Sequence, residues 1–581
     1  MLPLREVVAV VEAEGRRLRA EFYRADGPRG RRGSCPADHE IEENLKGVLQ
    51  SLFNADFSGE ETKRSPGSQA GWVWLVDPHD GTHDFLSGRR GSAISVALLR
   101  EGVPVLGVVH APDPPDRGPD TIAWAEGLDF LLRNKEKIKV DLSREDLKPA
   151  SLVWATASAA LRPQTWSRAV APGRFVAMPS IAYRMARVAA GDGVAVASVH
   201  DVAEYDIAAG LALIRASRGV ALDFSGKEIS LAGNSERRVS GCLAGAPAAS
   251  RKLARLDWSS LEQEPRREPR VVLSFPRKLS PYLERAQGVL LGQVIGDSLG
   301  SRVEFKPAGE IAQLFPGGVR ELADGGVYHT LAGQPTDDSE MALTLARAVL
   351  RKGGYDAAQV LDGYRAWLTS RPVDVGATTE SGLLGIFSRE SESNGSLMRV
   401  SPLGIHAAGE PARAARLARD DSTLTHPNDA CLESCAAYCA AIAAGVGGAD
   451  RDGMVKAALA NSKGPARDAA RRGAEGGRPE DFFTHQGWVL LALQNAFYCL
   501  MNLTFEEGIV STISMGGDTD TNAAIAGALL GACHGRAAVP PRWILPVLAC
   551  RPLAESGALR PRPVEYWPDD LLELAEALLP S

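Results

Sequence analysis

The sequence predicts a multidomain protein with an α/β domain at its N-terminal end and an all-α domain after it. A chain of 581 residues has room for about three to five ordinary domains, or for two large enzyme-sized ones. The first half mixes helical and strand-like hydrophobic periods, whereas the second half is rich in Ala, Leu and Gly with helical spacing. Residues 256–281 are rich in charge and proline and lack periodicity, which is typical of a linker. We therefore assign residues 1–255 and 282–581 to the two domains.

The first domain begins with a predicted helix, because the apolar residues from Leu4 to Phe22 follow one helical face. Three runs rich in β-branched and aromatic residues are bounded by Gly, Pro and Asp and predict strands at residues 72–76, 94–99 and 103–110. A helix at residues 207–216 and a strand at 219–224 come next. This alternation is typical of an α/β or α+β domain.

The second domain shows almost no strand signal. Its helical periodicity recurs in six patches, at residues 284–299, 339–351, 356–369, 430–444, 487–500 and 522–535. A succession of helices without strands predicts an all-α fold.

Composition excludes several classes of function. The net charge of −7 argues against a nucleic-acid-binding surface, because phosphate contacts need clustered Lys and Arg. The eight cysteines form no CxxC pair; Cys431, Cys435 and Cys439 share a helix face, which fits a metal site or, as we prefer, three core thiols. Reduced thiols indicate a cytoplasmic protein. The apolar stretches fall short of the ~20 residues needed to cross a bilayer, and the N-terminus has no signal-peptide pattern, so we expect no membrane segment.

Acidic residues in the first domain fall into three groups, which contain Glu60, Asp77 with Asp80, and Asp206. A strand would deliver Asp77 to its end, Pro78 would stop the strand, and Asp77 and Asp80 would then converge on one cation. The His79 carbonyl would assist, and such hard oxygen ligands suit Mg²⁺. By itself, the Asp-Pro-His-Asp-Gly-Thr motif is equally compatible with a capped turn.

Taken in order, Glu60-Glu61, residues 77–82 and residues 205–210 resemble the signature set of the inositol monophosphatase family of Mg²⁺-dependent, lithium-sensitive phosphatases. The sequence is similar in particular to the 3′(2′),5′-bisphosphate nucleotidase branch. The resemblance implies a layered α-β-α-β-α sandwich and metal-assisted hydrolysis of a phosphomonoester. It implies two or three Mg²⁺ ions held by Glu60, Asp77, the His79 carbonyl, Asp80 and Asp206. Gly81, Thr82 and Asp206 would meet the substrate, and Thr82 paired with Asp38 would orient the attacking water. The chain departs from the family at Tyr205, at His79 and in the stretch before Asp38.

The second domain carries its own acidic set, in the motifs Thr336-Asp337-Asp338-Ser339 and Gly516-Gly517-Asp518-Thr519-Asp520-Thr521. Carboxylates so far apart in sequence meet only if the fold brings them together. Gathered in one pocket they would repel one another, so bound divalent cations are the natural solution. Each motif is also compatible with a simple helix cap or a glycine-rich turn, and His426 with a plain loop residue.

These motifs closely resemble the ADP-ribosylglycohydrolase family over residues 282–570. The resemblance implies a centre of two Mg²⁺ or Mn²⁺ ions held by Thr336, Asp337, Asp338, Asp518, Asp520 and Thr521. Glu304 would lie near the scissile bond as acid or base. The residues expected to hold the ADP-ribose phosphates and distal ribose are Asn394, Gly395, Ser396 and His426.

The sequence thus predicts a bifunctional cytoplasmic hydrolase with two Mg²⁺-dependent sites. One site would hydrolyse a small phosphomonoester, such as the 3′-phosphate of adenosine 3′,5′-bisphosphate, and the other would remove ADP-ribose from a modified protein or small molecule. Two alternatives stay open. The first domain could be an inositol or sugar-phosphate phosphatase, or one half could be an inactive module that only binds ADP-ribose or a nucleotide.

Overall fold

A computed structural model describes residues 2–580 except 32, 63, 234–236, 262, 274, 276, 278 and 279. The chain divides into two compact units, Met1–Leu279 and Ser280–Ser581. The first unit is built from helices and sheets, and the second from helices.

The sheets of the first unit comprise a seven-stranded, a five-stranded and a two-stranded sheet. The strands are β1 (Ala55–Gly59), β2 (Gln69–Asp80), β3 (Ala93–Arg100), β4 (Val103–Ala111), β5 (Asp120–Ala125), β6 (Leu131–Arg133), β7 (Glu136–Ile138), β8 (Leu152–Ala155), β9 (Arg174–Ala177), β10 (Ala195–Ser198), β11 (Val202–Ala203), β12 (Val220–Leu222), β13 (Arg238–Val239) and β14 (Cys242–Gly245). The large sheet runs in chain order from β1 to β7, with β1 and β2 parallel and the rest antiparallel. The smaller sheet has the order β12-β14-β10-β8-β9.

The helices of the first unit form three layers around these sheets. They are α1 (Leu4–Phe22), α2 (Pro36–Leu52), α3 (Thr82–Leu86), α4 (Pro163–Val170), α5 (Ile181–Ala189), α6 (Glu204–Ala216), α7 (Pro247–Leu253) and α8 (Trp258–Leu261). Helices α1 and α2 cover one face of the large sheet, α5 and α6 pack between the two sheets, and α4 and α7 contact the smaller sheet. The expected α-β-α-β-α sandwich is therefore confirmed.

Strand β2 extends further than the sequence predicts. Strand β2 continues past Pro78 to Asp80, with a register irregularity against β3 between Asp77 and Asp80. A proline cannot donate to the ladder but is tolerated at such an irregularity, so the strand bends there instead of stopping.

Helices make up the second unit, and its described residues, 280–580, contain no strand. They are α9 (Leu283–Gly300), α10 (Ala308–Leu314), α11 (Asp337–Lys352), α12 (Ala357–Thr369), α13 (Ala377–Leu383), α14 (Ser401–His406), α15 (Pro411–Ser422), α16 (Asp429–Val446), α17 (Arg451–Ala460), α18 (Gly464–Ala474), α19 (Val489–Asn502), α20 (Phe505–Ile513), α21 (Thr519–His534), α22 (Pro541–Ala549) and α23 (Leu571–Leu578). A 3₁₀ segment at Asn394–Arg399 interrupts this series. The predicted all-α fold is confirmed.

Helices α9 and α21 pack backbone against backbone through small residues four positions apart. A Cβ on Gly292 would stand 2.1 Å from the Gly527 carbonyl oxygen, and one on Gly288 would stand 2.6 Å from that of Gly531. Larger side chains would therefore force the helices apart. The close approach fixes the first turn of α21 beside the end of α9, where a Cβ on Gly300 would stand 2.4 Å from the Cα of Asp520.

Part of the predicted linker at 256–281 contacts the first unit. Trp258 is buried and lies 5.1 Å from Trp166 between ring centroids. The Glu264 carbonyl accepts from Arg162 at 2.7 Å, and Phe275 meets Phe22 at 5.3 Å between centroids. The linker prediction rests on charge and proline content, which does not reveal single apolar residues. Burial of the aromatic side chains attaches this segment to the first unit.

One helix among the described residues, Asp429–Val446, is long and apolar enough to cross a bilayer. Within the second unit 89% of it is buried, a property that it shares with ordinary core helices. It carries the three cysteines of the sequence motif, which are buried free thiols.

Two candidate metal centres

The first centre lies where β1 and β2 end beside the first turn of α6. Because β1 and β2 are parallel, their carboxyl ends meet at one edge, which brings Glu60 near Asp77 and Asp80. Helix α6 adds Asp206, whose Oδ2 accepts from the Ala203 amide at 2.7 Å. The four carboxylates predicted to share a site thus interact in the structure.

Crowding raises the pKa of these acids. Burial and then the charge of Asp206 raise the pKa of Glu60 to about 8. Burial and then Asp80 raise that of Asp206 to about 7, and burial with Glu60 and Asp80 raises that of Asp77 well above its ordinary value. A pocket of buried carboxylates without a compensating cation is costly, and its all-oxygen donor set fits Mg²⁺.

Asp80 is held from behind by α5. Its Oδ2 accepts from the Ser180 hydroxyl at 2.5 Å and from the Ala182 amide at 2.7 Å. These donors fix the orientation of the Asp80 carboxylate within the centre.

Asp38 and Thr82 lie within hydrogen-bond reach of each other. The Thr82 hydroxyl lies 3.5 Å from Asp38 Oδ2 and 2.8 Å from the His79 carbonyl oxygen, which is its shorter acceptor. The short contact of Asp38 is with the His79 ring, whose Nδ1 lies 2.6 Å from Oδ1. The resemblance implies a role for the carbonyl of His79 alone, whereas its buried imidazole is the closest partner of Asp38.

Gly81 adopts a left-handed conformation, with φ of 102°, and α3 begins at the next residue, Thr82. A helix therefore starts where Gly81 and Thr82 are expected to meet the substrate, and the backbone amides there face no helical partner. Their contact with a substrate phosphate stays a prediction.

The second centre is built from α9, the first turns of α11 and α21, and the segment after α9. Two sets of three carboxylates each have oxygen atoms within 4.8 Å of one another, and they consist of Asp297, Asp338 and Asp520 and of Glu304, Asp518 and Asp520. Asp520 belongs to both sets. The predicted ligands Asp338, Asp518 and Asp520 therefore come together, and Glu304 lies directly beside them.

Two buried oxygens in this centre, Asp338 Oδ1 and Glu304 Oε2, have no hydrogen-bond partner among the residues that the structure describes. An ionised oxygen left in this state is costly, and a divalent cation would satisfy it. The side chains thus fit the metal centre that the sequence implies.

Asp297 also belongs to this centre, although the sequence did not indicate it as a ligand. It is fully buried on α9 and accepts from the Thr336 hydroxyl at 2.8 Å, from the Thr336 amide and from the Ser339 amide. Burial raises its pKa to about 6. A single acid within an otherwise apolar helical stretch is the signal that could have found it.

Three further predicted ligands, Asp337, Thr336 and Thr521, lie around the carboxylates of the second centre. Burial and then the charges of Asp374 and Asp297 raise the pKa of Asp337 well above its ordinary value, so Asp337 faces the same pocket. The Thr336 hydroxyl lies 3.2 Å from Asp338 Oδ2, and the Thr521 side chain, which lies close enough to lower the pKa of Asp338, borders the same carboxylate. Asp374 is a second acid that no motif indicated.

Glu304 is well placed for proton transfer. Burial and then the charge of Asp518 raise its pKa to about 8, while the neighbouring Asp520 and Tyr328 side chains lower it. A carboxyl group with a raised pKa in a polar cleft is a candidate acid or base.

The residues predicted to hold ADP-ribose divide into two groups. Asn394 donates to Asp518 Oδ2 at 2.7 Å and so borders the centre. Ser396 and His426 are completely buried. Ser396 bonds Ser422 at 2.8 Å, and the His426 ring nitrogens bond Thr425 and Ser393. The pKa of His426 falls to about 3 through burial, so its ring is neutral.

Gly395 packs against that ring, since a Cβ there would stand 3.1 Å from His426 Nε2. In this structure the side chains of Ser396 and His426 support the 3₁₀ segment from behind. Their direct contact with a ligand stays a prediction.

Family models match both units. The ADP-ribosylglycohydrolase model matches residues 279–580, and the inositol monophosphatase family model matches residues 34–262.

Curated relatives agree with both matches. The chain is 32% identical to an ADP-ribosyl-[dinitrogen reductase] glycohydrolase of Rhodospirillum rubrum, over 45% of this chain and 89% of the relative. It is 28% identical to the ADP-ribosylarginine hydrolase Tri1 of Pseudomonas putida (strain GB-1), over 52% and 85%. It is 33% identical to an inositol-1-monophosphatase of Rhizobium meliloti (strain 1021), over 33% and 74%.

Proposed function

Residues 279–580 of this chain belong to the ADP-ribosylglycohydrolase family and residues 34–262 to the inositol monophosphatase family, and on that premise we propose two Mg²⁺-dependent reactions. The chain is a bifunctional hydrolase. Its first unit would hydrolyse a phosphomonoester, and its second would remove ADP-ribose from a modified target. The main observation behind this proposal is that each unit brings together its own group of carboxylates.

In the first unit Glu60, Asp77, the His79 carbonyl, Asp80 and Asp206 would hold the cations. Bound Mg²⁺ supplies positive charge that favours both the attacking and the leaving oxygen. The amides of Gly81 and Thr82 would hold the phosphate at the start of α3, where backbone N–H groups have no helical partner. Thr82 and Asp38 would orient the water, and the His79 ring would hold Asp38 in place.

The phosphomonoester has two candidates. A nucleotide 3′-phosphate such as adenosine 3′,5′-bisphosphate is favoured by the branch that the motifs resemble. Inositol 1-phosphate is favoured by the name of the Rhizobium meliloti relative. Phosphate release from each compound in Mg²⁺ separates the two, with Asp77→Asn as the inactive control. No Mg²⁺-dependent release from either compound would contradict both candidates.

In the second unit Thr336, Asp337, Asp338, Asp518, Asp520 and Thr521 would hold two Mg²⁺ or Mn²⁺ ions, together with Asp297. Such ions supply charge that positions a sugar hydroxyl and a water. Glu304 would donate or accept the proton at the bond to C1″, as carboxyl groups do in glycoside hydrolysis. Asn394 and Gly395 would hold the ADP-ribose.

ADP-ribosyl-arginine is our first candidate substrate, because the Pseudomonas putida relative is named an ADP-ribosylarginine hydrolase. Free ADP-ribose released from ADP-ribosyl-arginine and from ADP-ribosyl-serine, each with Mg²⁺ or Mn²⁺, tests the residue and the ion. Binding without release would support the alternative of an inactive ADP-ribose-binding module. The target would be a protein or a small molecule, and we expect neither nucleic acid nor membrane as a partner.

We place the protein in the cytoplasm. All eight cysteines are free thiols, seven of them buried, which fits a reducing compartment. Localisation of the tagged chain in fractionated cells tests this placement.

A further inference from the structure

Glu42, a residue of α2, lies behind the first centre and has no part in the reaction proposed above. Its side chain is fully buried. Its Oε2 accepts from the Glu61 amide at 2.9 Å, and its Oε1 accepts from the Thr62 amide at 2.7 Å. Both carboxyl oxygens therefore hold the backbone of the turn that carries Glu60.

The large sheet does not hold the tip of this turn. The pairing of β1 with β2 ends at Gly59, so Glu60 lies one residue beyond the last paired position. The base of the turn is closed by backbone hydrogen bonds between Phe57 and Ser65. Amides beyond the end of a ladder need other partners, and Glu42 supplies them at the two residues that follow Glu60.

Gly59 makes room for the Glu42 carboxyl group. A Cβ on Gly59 would stand 2.2 Å from Cδ and 2.2 Å from Oε1 of Glu42, which is far closer than van der Waals contact. A side chain at position 59 would therefore push the carboxyl group away from the two amides. The contact between α2 and the turn thus depends on the glycine as well as on the glutamate.

Helix α2 also contacts the second segment that carries proposed ligands. Asp38 lies four residues before Glu42, so the two carboxyl groups share a face of α2. Oδ1 of Asp38 lies 2.6 Å from Nδ1 of His79, which stands between Asp77 and Asp80 in the sequence. One face of α2 thus contacts the end of β2 through Asp38 and the turn after β1 through Glu42.

We propose that Glu42 is a positioning residue for the first centre, because it holds the turn at Glu60 in the place that a shared Mg²⁺ ion requires. The proposal rests on the Mg²⁺-dependent phosphatase function proposed above. Mg²⁺ demands a near-ideal arrangement of its oxygen ligands, so a displaced Glu60 weakens its binding. Replacing a residue that orients a metal ligand typically costs about 10–100-fold in metal affinity or activity.

Two substitutions reach the same contact from opposite sides. Glu42→Gln keeps the size of the side chain but sets an NH₂ group, which is a donor, against one of two amides that are donors themselves. Gly59→Ala leaves Glu42 in the chain and displaces its carboxyl group. The matched control is Asp56→Asn, because Asp56 accepts from the Gly67 amide at 2.8 Å, in the same connection but away from Glu60.

The experiment measures Mg²⁺ binding and phosphatase activity on the full chain. Titration calorimetry with Mg²⁺ gives the Kd, and the binding that Asp77→Asn removes is assigned to the first centre. Phosphate release from adenosine 3′,5′-bisphosphate and from inositol 1-phosphate gives the Mg²⁺ concentration at half-maximal rate. The melting temperature without Mg²⁺ reports the stability of each variant.

For Glu42→Gln and Gly59→Ala we expect the Kd for Mg²⁺ and the half-saturating Mg²⁺ concentration to rise about tenfold. The KM for the phosphomonoester, measured at saturating Mg²⁺, should stay unchanged. Asp56→Asn should keep the wild-type Mg²⁺ values even where its melting temperature falls.

Wild-type Mg²⁺ binding in either Glu42→Gln or Gly59→Ala would overturn the proposal, whatever their melting temperatures, and so would an equal loss of Mg²⁺ affinity in Asp56→Asn. If the wild-type chain released phosphate from neither compound, the phosphatase function itself would fail. The calorimetric Kd would still decide the role of Glu42 in that case.

Discussion

At the scale of single residues, the structure shows how centrally each acidic side chain lies in the second centre, which the motifs do not indicate. Asp520 belongs to both carboxylate sets of the second centre, whereas Asp297 belongs to one and Asp337 borders them. His79 likewise has a role that its motif does not indicate, because its ring is the closest partner of Asp38.

Asp520→Ala should lower the glycohydrolase rate by about 10²-fold or more, since mispositioned catalytic groups cost that much. Asp297→Ala should lower it as well and should also destabilise the second unit, because the Thr336 amide loses its buried acceptor. Turnover and melting temperature with and without Mg²⁺ measure both effects. An Asp297→Ala enzyme with wild-type rate and stability would remove Asp297 from the centre.

His79→Leu should destabilise the first unit by about 1–3 kcal/mol, because it leaves a buried oxygen of Asp38 without its partner. The backbone carbonyl of residue 79 remains, so the gain in melting temperature on adding Mg²⁺ should persist. Asp77→Asn should lose that gain. If His79→Leu lost it too, the ring and the cations would be coupled more directly than the contacts indicate.

At the scale of elements, close packing and buried charge hold the sites. Small residues let α9 and α21 touch, which aligns Asp297 with Asp520. In the first unit, the fully buried Arg187 joins α5 to the loop after β4, because it contacts Asp116 at 2.9 Å and also pairs with Asp192.

Gly292→Val should destabilise the second unit severely and lower glycohydrolase activity, because the new side chain would collide with the Gly527 backbone. Gly309→Ala is the control, since a Cβ at this position on α10 meets no atom within 4 Å. We expect that control to be neutral or slightly stabilising. Thermal unfolding of both variants measures the effect, and a silent Gly292→Val would refute the role of close packing.

The first unit should lose stability in acid through Asp192. Burial would raise the pKa of Asp192, but Arg187, Arg133 and Arg117 lower it to about 2. A carboxyl group with a lowered pKa stabilises the fold above its unfolded pKa, and this contribution disappears as the pH falls from about 4 to 2. Asp192→Asn should therefore reduce stability by about 2 kcal/mol at pH 7 and flatten its decline in acid. Urea unfolding between pH 7 and pH 2 would show an unchanged decline if the assignment is wrong.

At the scale of the whole molecule, each unit contains its own set of acidic residues and its own core. The first centre draws on β1, β2 and α6, and the second on α9, α11 and α21. Neither set of described ligands includes a residue of the other unit, so the two reactions should be separable.

Asp77→Asn should abolish phosphatase turnover and leave glycohydrolase turnover intact, and Asp520→Ala should do the reverse. Mg²⁺ should raise the unfolding temperature of both units in the wild-type chain, because a ligand stabilises the state that binds it. Each variant should lose this gain in one unit only. Loss of both activities from a single substitution would show that the sites depend on each other.

Hydrophobic period and local motifs such as residues 77–82 and 516–521 are properties of neighbouring residues, so the two fold classes, both families and the motifs of both centres could be predicted from the chain. Which side chains meet depends on tertiary packing. Asp297 was not predicted as a ligand, Asp374 and Tyr328 lie outside the recognised motifs, and all three reach the second centre through helix packing and loop paths. The pairing of His79 with Asp38 and the support of Gly395 by His426 likewise depend on contacts between distant segments, which no local pattern encodes.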